Sequence, residues 1–144
     1  MLGSACGAMG SGVPSGLAAS LRYPDRQVVA FCGDGGFLMT GNELATAVAR
    51  GTDLKIVVSN NSSYGTIRSH QERAFPNRPY GTDLSNPDFA ALARAYGAAG
   101  YFISDATDVE AIVKEAMSMK GPVLIGVKSE VHHSPDKSIG AALR

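Results

Sequence analysis

The chain has 144 residues, a mass of 14.9 kDa and equal numbers of basic and acidic side chains, 13 of each. That length suits one domain with a real core, and 44% apolar with 18% charged residues is a globular composition, not a disordered one. The balanced charge supplies no basic field for nucleic acid or an acidic membrane surface, and no run approaches the roughly 18 apolar residues of a membrane span. The start lacks the basic-then-apolar order of a signal peptide, so a cytoplasmic protein is expected. Cys6 and Cys32 form neither a CxxC pair nor a disulfide framework and read as small core residues in a reducing compartment.

In chain order, Pro14–Arg22 (PSGLAASLR) reads as helix. Gln27–Cys32 (QVVAFC) is β-branched and apolar throughout, the pattern of a strand buried on both faces. Thr40–Arg50 follows as a helix, with Thr40 and Glu43 spaced as a capping box and Gly51 as its stop. Leu54–Ser59 (LKIVVS) predicts the second strand. Ser62–Ser85 carries neither period, and a loop of that length in a compact domain is usually functional. Asn86-Pro87-Asp88 opens a helix through Tyr96, with Asn86 as its cap and Gly97 as its end. Tyr101–Ile103 reads as a short strand, Thr107 and Glu110 as a capping box for a helix reaching Met119, and Val123–Lys128 (VLIGVK), after Gly121-Pro122, as a last strand. Strands separated by capped helices predict an α/β fold, a mostly parallel sheet flanked by helices. The domain is expected over residues 1–131, with 132–144 a flexible tail.

In open α/β sheets, ligands bind beyond the carboxyl ends of the strands. The first predicted strand runs into Gly33-Asp34-Gly35-Gly36 and the second into Asn60-Asn61-Ser62-Ser63. If these strands are neighbours, Asp34 and Asn61 converge. A carboxylate, an amide oxygen and a backbone carbonyl are hard ligands suited to Mg²⁺ or Ca²⁺. Gly35 and Gly36 would let backbone N–H groups meet phosphate oxygens. Asp-Gly and Asn-Asn are also ordinary turn pairs. No GxxxxGK[ST] P-loop is present, and Gly10–Gly16 (GSGVPSG) only loosely imitates a dinucleotide fingerprint, since no strand precedes it.

GDG, then 24 residues, then NN resembles the cofactor motif of thiamine diphosphate (ThDP) enzymes. GAMGSGVPSGLAAS, GDGGFLMTGNELATA, NNSSYGTIRSHQER and NPDFAALARAYGA extend the likeness to the carboxyl-terminal cofactor domain of the acetohydroxyacid synthase and benzoylformate decarboxylase group. The resemblance implies that Asp34, the Asn61 side chain and the backbone carbonyl of Ser63 bind Mg²⁺. It implies that Gly33, Gly35 and Gly36 contact the diphosphate, that Tyr64, Gly65 and Thr66 line it, and that the backbone at Gly7 and Met9 meets the aminopyrimidine. Met9 matches the apolar wedge that bends the cofactor and places its amine beside the thiazolium carbon; the alternative is that it fills core.

Within that resemblance, Ile67, six residues beyond Asn61, stands where pyruvate decarboxylases carry a glutamate. His70, nine beyond, stands where biosynthetic acetohydroxyacid synthases carry a tryptophan; it could face substrate or sit in a solvated loop. The implied function is that of a ThDP- and Mg²⁺-binding domain of a 2-oxoacid decarboxylase or carboligase, acetolactate synthase-like. Its implied partners are the 2-oxoacid substrate and a pyrimidine-binding domain or subunit acting in trans, in a homo- or hetero-oligomer. That second domain would supply the activating glutamate. A non-oxidative decarboxylase of the benzoylformate type and a fragment that binds without turnover are the alternatives.

Overall fold

The computed structural model describes residues 6–105 and 107–130; the expected tail, 132–144, lies outside them. In chain order the elements are α1 (Gly12–Arg22), β1 (Val28–Gly33), α2 (Asp34–Thr40), α3 (Glu43–Arg50), β2 (Leu54–Asn60), α4 (Gly65–Ala74), α5 (Phe89–Ala95), β3 (Ala99–Ile103), α6 (Val109–Ser118) and β4 (Val123–Lys128). The four strands form one parallel sheet in the order β1-β2-β4-β3. This is the α/β architecture that the alternation of strand and helix signals implies, and all four predicted strands are present.

The two faces of the sheet are covered unequally. On one, α1, α2, α3 and α5 pack a core of Val13, Leu17, Phe37, Leu44, Ala47, Phe89 and Ala93 against Ala30, Ile56, Val58 and Leu124. The approach of α1 is close: a Cβ on Gly16 would lie 2.9 Å from both Ala30 and Leu54. On the other face, α6 packs Ala116, Ile112 and Val113 against Ile103, Val123 and Ile125. β1 lies beyond the reach of that single helix and at an edge of the sheet. Its Val29 and Phe31 are therefore exposed, Phe31 to 76%, which corrects the expectation of a strand buried on both faces.

Several helix ends also differ from expectation. The predicted helix 40–50 is really two. The first, α2, begins at Asp34, and Thr40 donates its hydroxyl to the Gly10 carbonyl (2.6 Å) instead of capping α3. Glu43 accepts from the Thr46 hydroxyl, so the predicted box is not formed. Asp88, not Asn86, caps α5 by accepting from Ala91 N (3.0 Å); a residue before proline is held out of the helical region, which frees Asn86 for another role. Asp108 likewise caps α6, while Thr107 bonds back to Ser104. Within the expected loop, Gly65–Ala74 forms α4, a polar helix with no buried residue. It is held by Arg68 to Glu72 and Asp83 and by Gln71 to the Tyr80 backbone. Cys6 is exposed, contrary to its reading as core, and Cys32 is half-buried. Gly51 does close α3 in the left-handed conformation (φ 59°), as expected.

At the amino end of β2, Lys55 is fully buried on the α6 side. Its ammonium is shared by Asp53 and by the carbonyls of Met119 and Gly121, each at 2.8 Å. All three N–H donors are used, so the cation joins β2 to the turn before β4. Removing it leaves a partly buried carboxylate and two carbonyls without a donor. Lys55→Ala is expected to lower the unfolding free energy by about 3 kcal/mol, read by urea denaturation; a loss below about 1 kcal/mol would show the pair to be no better than a surface one.

Candidate active site

β1 and β2 pair in register, with Gly33 opposite Ser59. Their carboxyl ends are therefore level, and the GDGG and NNSS segments leave the sheet side by side. Asp34 is the first residue of α2 and only 2% exposed. Its two oxygens are each held by one donor: Oδ1 by the Gly35 N–H (2.9 Å) and Oδ2 by Asn86 Nδ2 (2.6 Å). Gly35 must be glycine, because a Cβ there would lie 2.5 Å from two carbons of the Tyr64 ring and 3.3 Å from Leu84. The Tyr64 ring thus packs directly against the start of α2. Gly33, by contrast, has open space where a side chain would be, and Gly36 has only the Gly10 nitrogen, 3.7 Å away.

The second loop turns through Ser62, a non-glycine residue at φ 54°. Asn61 Oδ1 accepts from Ser63 N (3.0 Å), and Asn60 Oδ1 from Ser62 N (3.2 Å), so both amides are oriented by their own turn. Ser63 is buried, bonds through its hydroxyl to the Thr82 carbonyl (3.0 Å), and presents its own carbonyl to Gly65 N (2.8 Å). Tyr64 N donates to the same Thr82 carbonyl (2.8 Å), pinning the loop to residues 82–84.

A third segment comes from the amino end. Gly7 (φ 63°) and Met9 are exposed, Met9 to 45%, and Gly10 is buried against Met39 and Thr40 of α2. The structure therefore brings the Met9 loop to α2, and α2 to the Tyr64 loop. Thr66, Ile67 and His70 all lie on exposed positions of α4. One residue of the site, Asn86, carries no functional signal in the sequence reading. Asn86 donates its second N–H to Asn60 Oδ1 (2.7 Å), so it joins the Asp34 end to the Asn60 end. The only local hint is that an Asn-Pro pair two residues ahead of a better cap leaves the asparagine idle.

Beneath the site, burial and then the nearby Asp34 carboxylate push the Cys32 thiol up to about 11, so it stays a neutral filler. The oxygen set fits a small hard cation. Each Asp34 oxygen holds one hydrogen bond and a carboxylate offers about four lone-pair sites, while the Asn61 and Ser63 oxygens keep one lone pair each for a ligand. Among the described residues no cluster of three or more His, Cys, Asp or Glu could hold a metal. No helix among them is long and apolar enough to cross a membrane.

The family model described as thiamine pyrophosphate enzyme, C-terminal TPP binding domain, matches residues 1–127. The chain belongs to that family. Over 122 residues it is 38% identical to the mitochondrial acetolactate synthase catalytic subunit of Saccharomyces cerevisiae, covering 85% of this chain and 18% of that one. It is 39% identical over 119 residues to the putative thiamine pyrophosphate-containing protein YdaP of Bacillus subtilis, covering 83% of this chain and 21% of that one. A solved structure, the thiamine diphosphate-dependent 4-hydroxybenzoylformate decarboxylase of Rhodococcus jostii, aligns with a TM-score of 0.82 at 31% identity, over 90% of this chain and 24% of that chain. The chain thus spans about a fifth of the curated relatives that it matches. As a TPP-binding domain, it takes ThDP as its cofactor.

Gly35→Ala follows directly from the packing of this TPP-binding domain. The methyl would displace the Tyr64 ring, with an overpacking cost of about 1–3 kcal/mol, and should weaken ThDP binding at least about tenfold (1.4 kcal/mol). Calorimetric ThDP titration and urea denaturation read the two effects. A variant unchanged in both would contradict the Tyr64–Gly35 contact.

Proposed function

We propose that this TPP-binding domain is the diphosphate- and Mg²⁺-holding part of a 2-oxoacid decarboxylase or carboligase of the acetolactate synthase type. The observation that carries the reading is Asp34. It is a buried carboxylate, set among glycines at the end of a parallel strand, next to the amide-rich end of its neighbour. In this reading Asp34, Asn61 Oδ1 and the Ser63 carbonyl hold Mg²⁺. The backbone at Gly33, Gly35 and Gly36, with Tyr64, Gly65 and Thr66, receives the diphosphate, and Gly7 and Met9 receive the pyrimidine.

When bound, ThDP supplies a nucleophilic thiazolium carbon and an electron sink for loss of CO₂ from a 2-oxoacid. The chain's own residues set what surrounds that chemistry. Met9 is an exposed apolar side chain on a loop tied to α2 through Gly10, well placed to wedge beneath the cofactor. Ile67, 42% exposed on the first turn of α4, offers no acid at the substrate position. Without a positioned proton donor, attack on a second carbonyl is favoured over protonation, and this supports carboligation. His70 stands one turn further along the same helix, where it can meet substrate.

Activation needs a carboxylic acid near the pyrimidine, and this chain's glutamates have other tasks. Glu43 accepts from Thr46, Glu72 from Arg68 and Glu115 from Tyr101. Glu110 lies on the first turn of α6, which packs on the far face of the sheet. Glu130 is exposed beyond the end of β4, which β2 separates from β1 and so from the α2 that the Met9 loop meets. We therefore assign the activating glutamate to a pyrimidine-binding domain or subunit in trans, within a homo- or hetero-oligomer working in the cytoplasm. A second reading, non-oxidative decarboxylation of an aryl 2-oxoacid, is favoured by the likeness to the 4-hydroxybenzoylformate decarboxylase.

Asp34→Ala and Asn61→Ala should each abolish Mg²⁺-dependent ThDP binding in isothermal calorimetry, since the diphosphate would then face an unneutralised site. Binding unchanged in both would sink the metal assignment.

The chain alone, given ThDP, Mg²⁺ and pyruvate, should release no measurable CO₂, because the half-site lacks its acid and stays wet. Adding a glutamate-bearing partner domain should restore turnover, with acetolactate or a related acyloin as product. Aldehyde alone would favour the second reading. Steady CO₂ release from the chain alone would refute the need for a partner, and continued inactivity with the partner would leave a domain that only binds.

A further inference from the structure

Asn86 is the residue whose predicted task the structure removes. Asp88 caps α5 in its place, and the Asn86 side chain turns back into the space between the two strand-end loops. One nitrogen, Nδ2, spends both of its N–H groups there, on Asp34 Oδ2 at 2.6 Å and on Asn60 Oδ1 at 2.7 Å. Asp34 Oδ1 is fixed by Gly35 N, and Asn60 Oδ1 also accepts from Ser62 N. A continuous chain of hydrogen bonds therefore runs from α2 through Asn86 to the turn that carries Asn61 and Ser63. The arrangement needs a primary amide: two donors on one atom, meeting a carboxylate on one side and an amide oxygen on the other.

The other end of the amide is just as informative. Asn86 Oδ1 is buried and has no hydrogen-bond partner. Buried acceptors left alone are rare in folded chains, and a side chain kept only for stability would gain by losing this one. An amide retained with its oxygen orphaned is retained for its nitrogen.

We infer that Asn86 is a positioning residue for the metal site. By clamping Asp34 to the Asn60–Ser63 turn, it sets the spacing and orientation of the oxygens offered to Mg²⁺. This rests on the assignment of Asp34, Asn61 and Ser63 as ligands. Mg²⁺ demands near-ideal octahedral geometry at short distances, whereas Ca²⁺ accepts larger and less regular shells. Loosening the clamp should therefore harm Mg²⁺ binding more than Ca²⁺ binding. A role in stability alone predicts no such split.

The test uses the full 144-residue chain, with Mg²⁺ and Ca²⁺ titrated calorimetrically at saturating ThDP and thermal melting followed without ligand. Asn86→Leu fills the volume while removing the clamp and the orphaned oxygen; Asn86→Ser is the second variant, smaller and still polar. Both are expected to weaken Mg²⁺ binding about 10–100-fold, as the loss of a partner behind a ligand commonly does. Ca²⁺ binding should weaken less. The ligand-free melting temperature of Asn86→Leu should fall, because Asp34 Oδ2 and Asn60 Oδ1 lose their donors, but that loss is common to both ions and does not produce the split. Mg²⁺ and Ca²⁺ affinities both within about twofold (0.4 kcal/mol) of the unmutated chain would overturn the inference. So would an equal loss for both ions, or two variants that do not fold, since either result assigns Asn86 to stability. If the unmutated chain shows no Mg²⁺-dependent binding at all, the ligand assignment itself falls.

Discussion

The level, in-register pairing of β1 with β2 is the constraint on which the rest of the site depends. Because the strands are parallel and Gly33 lies opposite Ser59, the two loops that follow leave the sheet at the same height. A slip of β1 by one residue would turn Ala30 out of the core, and a slip of β2 would turn out Ile56 and Val58. Hydrophobic burial thus fixes the register, and the register in turn fixes where Asp34 and Asn61 stand. The T-shaped contact of Phe37 with Phe89, centroids 5.4 Å apart, holds α2 to α5 and so keeps residues 83–88 beside the site. Packing far below the carboxyl edge thereby places the polar groups at it.

Much of this was readable from the chain. The strands declared themselves through β-branched runs, and α3, α5 and α6 through apolar spacing and end signals. What was not readable has physical causes. α4 has no apolar stripe and none of its residues is buried; its order comes from Arg68, Glu72, Asp83 and Gln71, which look like any solvated polar residues in a sequence. α2 hid behind two glycines, which lower helix propensity; at Gly35 the close approach of Tyr64 leaves no room for a side chain. The misplaced caps share another cause. Several polar residues stood within reach of each helix start, and tertiary demands, such as the Gly10 carbonyl on Thr40, decided which remained free.

The site shows the same division. Asp34 among its glycines and Asn61 in its Asn-Asn-Ser-Ser turn are each short patterns that could be quoted from the sequence, and strand pairing alone was needed to bring the two together. Asn86 is separated by 52 residues from Asp34 and by 26 from Asn60, and a contact over such a span leaves no mark on local pattern. The exposed Phe31 and Val29 were equally hidden, since an apolar strand reads the same whether its second face is covered or bare. A bare apolar face on an edge strand is a template for association, and it lies on the strand that ends at Gly33, just before Asp34.

The strand order carries a consequence for synthesis. β4 is the last strand in the chain, yet it sits between β2 and β3 and touches both. As the polypeptide leaves the ribosome, β1 and β2 can pair at once, but β3 has no strand to pair with until Val123–Lys128 has emerged. The half of the sheet that holds the Asp34 and Asn61 ends is therefore local and early, while the other half waits for long-range closure, the slower kind of event. A stop codon just before Val123 would not trim this sheet at its rim; it would cut it in two.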